Sequence, residues 1–375
     1  MLRVVIPCYN EPEVMQTVES LFACRQSQAA VEIIVVVNSH AIDSAEKVAF
    51  NRLSFKLLND YAVQHNRPDF RLTLYLEENL PGHQTGAGLP RKIGMDNAVA
   101  HGTDDDVIIS LDADCQVSDN YFCEIERCFE QFGLKSATIA FHHPTENLPP
   151  DSPLRQATEA YEEYLHYYRA ALEYIGFPYP YFCIGSAFAV KAKTYLQVGG
   201  MGKQQAGEDF YFLQKVFPLG KTMFIDGACV YPAARVSERV PFGTGPAIAK
   251  MLQTNSLQKY SYPIAAFDDL KQLFDALPAL YRSKSSETTK LLQALPDPLQ
   301  NFLQAEHFFD KLAEINQHTA TFESFYKRFF QYFSAFKILK YLNASSPVPH
   351  APAPVSEQYR LLMMRIRDGS EKNIL

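Results

Sequence analysis

Short apolar runs rich in β-branched residues recur along the first part of the chain, and each ends at a polar or turn-forming residue. Runs of this kind are typical of strands that are buried on both faces of a parallel sheet. They predict five strands, at residues 2–6, 31–37, 71–77, 106–111 and 136–141.

Between these runs, apolar residues recur every three or four positions, which is the spacing of an amphipathic helix. This spacing predicts helices at residues 12–24, 43–64, 90–101 and 118–132. Strands that alternate with helices indicate a Rossmann-like parallel sheet.

The pattern changes in the second part of the chain. A long amphipathic helix is predicted at 152–175, and a block with mixed strand and helix signals follows at 183–231. From about residue 245 onward the pattern is helical only. The chain is therefore predicted to form an α/β domain over 1–245 and a helical C-terminal extension over 246–375.

A stripe of phenylalanines lies in the predicted extension, at positions 322, 325, 329, 333 and 336. With nearby lysines and arginines, such a stripe is compatible with peripheral docking on a membrane surface. The alternative is a helix that packs its aromatic face on the α/β domain, as amphipathic helices of soluble proteins usually pack on their own protein.

Composition narrows the class of protein. The formal net charge is −7, whereas a protein that grips nucleic acid usually carries a basic surplus. The seven cysteines are scattered, odd in number and without a Cys-x-x-Cys pair, so a reduced compartment is expected. Neither a signal peptide nor a membrane-spanning apolar stretch is visible, and we expect a soluble cytoplasmic protein.

Candidate chemistry follows the predicted strands, where ligands of open α/β sheets gather. Asp112 and Asp114 come directly after the fourth strand, and two carboxylates at this spacing can share a hard divalent cation. The alternative is a helix cap, for which aspartate is also common.

Three further segments carry candidate binding or catalytic groups. A glycine-rich loop at 82–88 leads to Arg91 and Lys92 at a helix start, which suits phosphate, although a plain surface turn has the same features. Glu208 and Asp209 open another helix, where a carboxylate serves either as a general base or as a favourable partner of the helix dipole.

Arg235 and Arg239 fall on one side of an extended segment. Two neighbouring guanidinium groups suit an anionic ligand, and a solvated face with an ion pair is the alternative.

Taken in order, these motifs resemble family 2 glycosyltransferases of the GT-A fold. The resemblance lies in five stretches, at residues 4–11, 111–114, 185–188, 199–200 and 207–209. It implies a Rossmann-like GT-A fold for nucleotide-diphospho-sugar transfer, with a nucleotide-binding part over about 1–141 and an acceptor-side part over about 142–245. It also implies a metal-assisted, inverting transfer of a sugar from a nucleotide-sugar donor to an acceptor hydroxyl.

The resemblance assigns roles by position. Contacts with the nucleotide are implied for Pro7, Tyr9, Glu11, Asn38, Arg91, Lys92 and Asp112. A Mg²⁺ or Mn²⁺ ion is implied at Asp112 and Asp114, a general base at Asp209, an acceptor-orienting group at Glu208, and contacts with the acceptor or the diphosphate at Gly185, Ser186, Arg235 and Arg239. The acceptor itself, whether a sugar, a lipid-linked group or a small molecule, is not implied.

Two departures from the family pattern stand out. Asn38 and Ser39 follow the second strand where many members have two aspartates, which leaves the base open. Many members also place a metal-binding histidine after the later strand, and here Arg235 follows instead. Either two acids and the diphosphate hold the metal, or Arg235 and Arg239 neutralise part of the charge.

Two other classes of protein share parts of this pattern. Sugar-nucleotide pyrophosphorylases share the architecture, but they have a glycine-rich basic loop after the first strand. In this chain, residues 7–11 follow the first strand, and they are neither glycine-rich nor basic. A non-catalytic nucleotide-sugar-binding module is the other alternative, and it does not need the acids at Asp114 and Asp209.

Overall fold

The structure is a computed structural model that describes residues 1–81, 86–204, 207–236, 243–254 and 256–372. The described chain forms two compact units. The first comprises Met1–Thr158 with Tyr181–Lys250, and the second comprises Glu159–Pro180 with Met251–Leu375. The segment Glu159–Pro180 thus groups with the C-terminal helices, although it lies within the predicted α/β part of the sequence.

The first unit is built on one sheet with helices between its strands. Its strands are β1 (Leu2–Cys8), β2 (Val31–His40), β3 (Phe70–Leu80), β4 (Val107–Ser110), β5 (Cys115–Val117), β6 (Ser136–Phe141), β7 (Phe188–Lys191) and β8 (Thr222–Pro232). The helices up to residue 253 are α1 (Val14–Phe22), α2 (Ala45–His65), α3 (Gly88–Ala100), α4 (Tyr121–Phe132), α5 (Pro153–Tyr174), α6 (Ala192–Gln197), α7 (Glu208–Val216) and α8 (Thr244–Gln253). Of these, α5 from Glu159 onward and the last three residues of α8 belong to the second unit.

The strand order in the sheet is β3-β2-β1-β4-β7-β6-β8-β5. The first four of these strands run parallel, with Leu2 opposite both Val31 and Val107. β7 is antiparallel to β4 and β6, β8 is parallel to β6, and β5 is antiparallel to β8. The parallel half with its intervening helices confirms the predicted Rossmann-like α/β fold class.

The buried strands follow from the sequence pattern. Every residue of β2 is buried, as expected for a β-branched run covered on both faces. The strand β5 was not predicted, because its three residues are too few to show a period. It forms only through pairing with β8, whose partner residues are more than a hundred positions away in the chain.

The second unit is mainly helical. Its helices beyond α8 are α9 (Ile264–Asp275), α10 (Leu277–Leu280), α11 (Ser285–Gln293), α12 (Asp297–Ala305), α13 (Phe308–Gln317), α14 (Phe322–Tyr332), α15 (Ala335–Ala344) and α16 (Val355–Lys372). Two short antiparallel strands, β9 (Tyr260–Ser261) and β10 (Ala353–Pro354), correct the expectation of a helical-only region after residue 245. Two-residue strands leave no pattern in a sequence.

The phenylalanine stripe faces the interior of the second unit. Phe325, Phe329 and Phe333 are buried, and Phe333 contacts Phe274 of α9 with ring centroids 5.5 Å apart. The two ends of the stripe, at positions 322 and 336, are exposed by 39% and 37%. The middle of the stripe therefore stabilises the helical unit itself, and those three rings are not available to a membrane surface.

No helix in the described ranges is long and apolar enough to cross a membrane. All seven cysteines are free thiols.

Helix α3 packs against the parallel strands at a position without a side chain. A Cβ atom on Gly94 would lie 2.4 Å from Val5 Cγ1 and 3.2 Å from Val36 Cγ2. Both valines belong to buried strands, which have little freedom to move aside.

We therefore expect Gly94→Ala to lower the free energy of unfolding by roughly 1–3 kcal/mol, although alanine is the better helix former. The measurement is the urea unfolding midpoint. Glu130→Ala, an exposed position of α4, is the control and should change the free energy by less than about 0.5 kcal/mol. An unchanged midpoint in Gly94→Ala would contradict the close approach of α3 to β1.

Candidate active site

Polar side chains from distant segments meet at one edge of the sheet in the first unit. β1, β2 and β4 are parallel neighbours, so their carboxyl ends lie along the same edge. The segments that follow β1, β4 and β8 converge there with the first turns of α3 and α7. They form two groups of ion pairs, which we call the Arg235 cluster and the Arg91 cluster.

The Arg235 cluster consists of Arg235, Glu11 and Asp114. The Arg235 Nη2 atom donates a hydrogen bond to Glu11 Oε2 and another to Asp114 Oδ2, the latter at 2.9 Å. Glu11 is only 1% exposed, whereas the Asp114 side chain is 21% exposed. Glu11 and Asp114 lie 224 and 121 positions before Arg235 in the chain, and the fold brings these three predicted site residues together.

The Arg91 cluster lies beside it and is more deeply buried. The Arg91 guanidinium, 2% exposed, donates from Nη2 to Asp112 Oδ1 at 3.0 Å and from Nε to Glu208 Oε1 at 3.3 Å. Its Nη1 donates to Ser110 Oγ at 2.6 Å and to the Gly185 carbonyl oxygen at 2.8 Å. Burial alone lowers the pKa of Arg91, but the surrounding carboxylates outweigh it and raise this pKa above its ordinary value.

Asp209 adjoins the Arg91 cluster at the start of α7. Its Oδ1 accepts a hydrogen bond of 2.7 Å from the Phe210 backbone N–H. Burial, with a smaller contribution from the neighbouring charge of Glu208, raises the pKa of Asp209 to about 7, and Arg91 opposes this rise. A carboxyl group with a pKa near neutrality is suited to exchange a proton with a bound molecule.

A third group of polar residues lies at the carboxyl end of β2. Asn38 is completely buried, and neither its side-chain nitrogen nor its side-chain oxygen has a hydrogen-bond partner among the described residues. Tyr9 lies nearby, with its ring 4.9 Å from that of His40 and its hydroxyl 2.6 Å from Asp43 Oδ1. An unsatisfied buried amide is costly, so this end of β2 is suited to accept a polar ligand or water.

The remaining predicted residues are placed differently. Lys92 donates to Asp96 Oδ2 at 2.7 Å along the same helix and does not join either cluster. Pro7 lies within β1 opposite Val36, and Ser186 is buried next to Gly185. Arg239 and residues 82–85 of the glycine-rich loop lie outside the described residues.

Sequence reasoning missed polar residues that support the site. Ser110 at the end of β4 links Arg91 to Gly185, because its hydroxyl donates to the Gly185 carbonyl at 2.6 Å. Asn51 of α2 donates to the Asn38 carbonyl oxygen at 2.9 Å and accepts from the Asn10 backbone N–H at 2.8 Å. A sequence signal for Asn51 existed, because this polar residue falls on the same buried face of α2 as Leu58.

The donor atoms around Asp114 suit a hard cation in part. Two carboxylates from separate segments, Glu11 and Asp114, already share one cationic partner, and hard cations prefer such oxygen atoms. Within the described ranges, however, no three acidic, histidine or cysteine residues are arranged to hold a metal ion. A metal here would therefore complete its shell with ligand oxygens and water, and it would compete with Arg235 for Asp114.

No family model matches this chain, and no curated protein sequence matches it. Solved structures with a similar course of the chain include residues 1–349 of TarS from S. aureus in complex with UDP-GlcNAc, at 13% identity and a TM-score of 0.45, covering 88% of this chain and 90% of that chain. The mannosyltransferase PcManGT from Pyrobaculum calidifontis, in complex with GDP-Man and Mn²⁺, has 15% identity and a TM-score of 0.42, with 84% and 87% covered.

GalNAc-T7 with UDP, GalNAc and Mn²⁺ has 14% identity and a TM-score of 0.40, covering 78% of this chain and 54% of that chain. The fold class is assigned from the order and direction of the strands. The candidate active site is assigned from the two clusters of ion pairs.

The raised pKa of Asp209 predicts a pH-dependent cost in stability. In the unfolded chain the carboxyl group ionises near its ordinary pKa of 3.8, whereas in the folded protein it ionises near 7. The wild-type protein therefore loses stability from this group as the pH rises through that window, and the loss is complete above it.

Asp209→Asn cannot ionise and keeps an oxygen that accepts from Phe210. We expect its melting temperature to exceed that of the wild type by several degrees at pH 8 and to match it near pH 4. Thermal unfolding across this range measures the difference, with the exposed Asp60→Asn as the control. A difference that does not vary with pH would show that Asp209 has an ordinary pKa.

Proposed function

We propose that this chain is a glycosyltransferase that moves a sugar from a nucleotide-sugar donor to an acceptor hydroxyl, with a GT-A-type fold. The observation that carries the proposal is the position of Asp209. This half-buried carboxyl group, with a pKa near 7, adjoins Arg91, which in turn binds Asp112, and Asp112 lies two residues before Asp114 of the Arg235 cluster. We infer from these positions that the proton acceptor and the diphosphate would lie on the same edge of the sheet.

The donor would lie along the carboxyl ends of β1, β2 and β4. Tyr9 and Asn38 face the nucleoside in this assignment, and the unsatisfied amide of Asn38 supplies one donor and one acceptor for a base. We assign Arg235 to the diphosphate, because its side chain is 27% exposed and guanidinium groups bind phosphate oxygens well. The order of the five family 2 motifs supports the same assignment.

Transfer requires a proton acceptor for the attacking hydroxyl. In the proposed step, this proton passes to a carboxylate oxygen of Asp209 while the acceptor oxygen forms a bond to the anomeric carbon. The bond from that carbon to the diphosphate oxygen breaks, and its electron pair leaves with the nucleoside diphosphate. A single displacement of this kind inverts the anomeric configuration, and Glu208 would orient the acceptor.

We place a Mg²⁺ or Mn²⁺ ion at Asp114, with Asp112 beside it, as the resemblance implies. When bound, the ion would neutralise charge on the departing diphosphate. Asp112 and Asp114 would contribute the carboxylates that hold the ion, and Arg235 would donate hydrogen bonds to the diphosphate.

The proposed reaction is tested with purified protein and a panel of nucleotide sugars that includes UDP-GlcNAc and GDP-mannose, in the presence of Mn²⁺. A true donor should raise the melting temperature and be hydrolysed or transferred with release of a nucleoside diphosphate. Formation of a nucleotide sugar from a nucleoside triphosphate and a sugar phosphate would instead identify a pyrophosphorylase. If none of the donors binds or reacts, the proposed function is wrong.

The metal prediction is tested with Asp114→Ala. This change removes the principal carboxylate at the expected metal position, so donor hydrolysis should fall at least 100-fold, on the order of the loss of one preorganised charge contact. The Mn²⁺-dependent part of nucleoside diphosphate affinity, measured by calorimetry with and without EDTA, should disappear as well. The exposed Asp226→Ala serves as the control. Equal binding and turnover of the wild type in EDTA would show that Arg235 supplies the charge without a metal.

The base is tested with Asp209→Asn. Loss of a general base typically lowers turnover by about 10²–10⁴-fold, and we expect a decrease in this range with donor affinity nearly unchanged. In the wild type, kcat should rise with pH through about 7, because Asp209 must be ionised to accept the proton. The control is Asp60→Asn, and normal turnover of Asp209→Asn would remove this residue from the base role.

A further inference from the structure

Arg91 does not have the surroundings of a phosphate ligand. Its guanidinium is almost completely buried, and its four hydrogen bonds go to groups of the protein itself. A guanidinium has five N–H bonds, so nearly all of its donor capacity is already used. The sequence placed Arg91 near the diphosphate, but a residue bound in this way has little left to offer a phosphate.

The partners of Arg91 come from both sides of the proposed site. Asp112 follows β4 on the side assigned to the donor, whereas Glu208 opens α7 on the side assigned to the acceptor. The other two partners, Ser110 and Gly185, both accept hydrogen bonds from Nη1 and are hydrogen-bonded to each other. Because the guanidinium is rigid and planar, fixing it fixes the relative position of the two carboxylates.

The local packing is built around this arrangement. A Cβ atom on Gly185 would lie 2.8 Å from Arg91 Nη2 and 3.3 Å from Asp209 Oδ2. A Cβ atom on Gly88 would lie 2.2 Å from the Gln204 carbonyl oxygen and 3.3 Å from Glu208 Cγ. Glycine at both positions allows α3, the segment before β7 and the start of α7 to approach one another closely.

We propose that Arg91 is a positioning residue that joins the donor side and the acceptor side of the site, holding Asp112 and Glu208 in one fixed arrangement beside Asp209. The catalytic meaning of this inference rests on the proposed function. The structural part of the inference is that the buried guanidinium of Arg91 compensates the negative charges of the carboxylates of α7. This part does not depend on any substrate.

The charges around Asp209 make the inference measurable. Glu208 on its own helix and Asp112 after β4 raise the pKa of Asp209, and Arg91 of α3 lowers it. The half-buried thiol of Cys183 also lies close enough to interact with this carboxylate. Removal of Arg91 should therefore raise the pKa of Asp209, whereas removal of the Glu208 charge should lower it.

The experiment compares Arg91→Gln, Arg91→Lys, Glu208→Gln and the double variant Arg91→Gln/Glu208→Gln. The pH dependence of thermal unfolding reports Asp209 without any substrate, with Asp209→Asn in each background as the reference. We expect the Asp209 transition to move upward by about one pH unit or more in Arg91→Gln, as for the loss of a nearby opposite charge. It should move downward in Glu208→Gln and return close to the wild-type value in the double variant.

The kinetic arm uses the donor identified from the panel. Arg91→Lys keeps the positive charge, so the midpoint of the pH profile of kcat should not move. It loses the planar hydrogen bonds of the guanidinium, so kcat itself should fall at least 10-fold, as for a displaced catalytic group. The affinity for nucleoside diphosphate should change little in any of the variants. Arg25→Gln, which removes an exposed arginine paired with Asp119, is the control and should leave both arms unchanged.

Three results would overturn the inference. The first is an Asp209 transition that does not move in Arg91→Gln, and the second is a shift in the same direction for Arg91→Gln and Glu208→Gln. The third is a variant whose only defect is weaker nucleoside diphosphate binding, since that would make Arg91 a diphosphate ligand. If Arg91→Gln does not fold, the double variant, which leaves no unpaired buried carboxylate at Glu208, decides between these results. Failure of all donors to react would end the proposed function, but the unfolding arm would still test Arg91.

Discussion

Ionised carboxylates in a protein interior need a cation between them, because burial of unpaired charge is costly. At the edge of this sheet, Arg91 lies between Asp112 and Glu208, and Arg235 lies between Glu11 and Asp114. These pairings hold together segments that are far apart in the chain. The site depends on them, since without the guanidinium groups the same acids would repel one another and turn toward water.

The two arginines differ in what they leave available. Arg91 is enclosed and almost fully hydrogen-bonded, whereas the Arg235 side chain is 27% exposed. In the proposed function, Arg235 would therefore exchange a carboxylate for a phosphate oxygen, while Arg91 keeps its partners in place. The Arg235 cluster would thus bind the charged ligand, and the Arg91 cluster would fix the positions of the carboxylates.

Much of the fold could be predicted from the sequence. The β-branched runs of β1, β2 and β6 are unambiguous because a fully buried strand has few alternatives. By contrast, β5 exists only through its pairing with β8, and such long-range pairing leaves no local signal. The phenylalanine stripe was correctly placed on helical segments, but its partner, the interior of the helical unit, depends on tertiary packing.

The candidate site shows the same limit. The sequence indicated that Asp112, Asp114, Glu208 and Asp209 carry chemistry, because their positions after strands and at a helix start are informative. It did not indicate that Arg91 binds both Asp112 and Glu208, since this contact requires the close approach that Gly88 and Gly185 permit. For the same reason, the surroundings that raise the pKa of Asp209 above that of an ordinary helix-start acid became apparent only in the structure.

The central claim is that a nucleotide-sugar donor binds along the carboxyl ends of β1, β2 and β4, with its reacting carbon toward Asp209. A crystal structure of the protein with a bound nucleotide sugar tests this most directly. The account predicts that the nucleotide base lies beside Asn38 and that the anomeric carbon faces Asp209. It predicts that the diphosphate is hydrogen-bonded to Arg235 or coordinated to a metal ion at Asp114. A nucleotide bound elsewhere on the molecule, or bound here with its sugar directed away from Asp209, would contradict it.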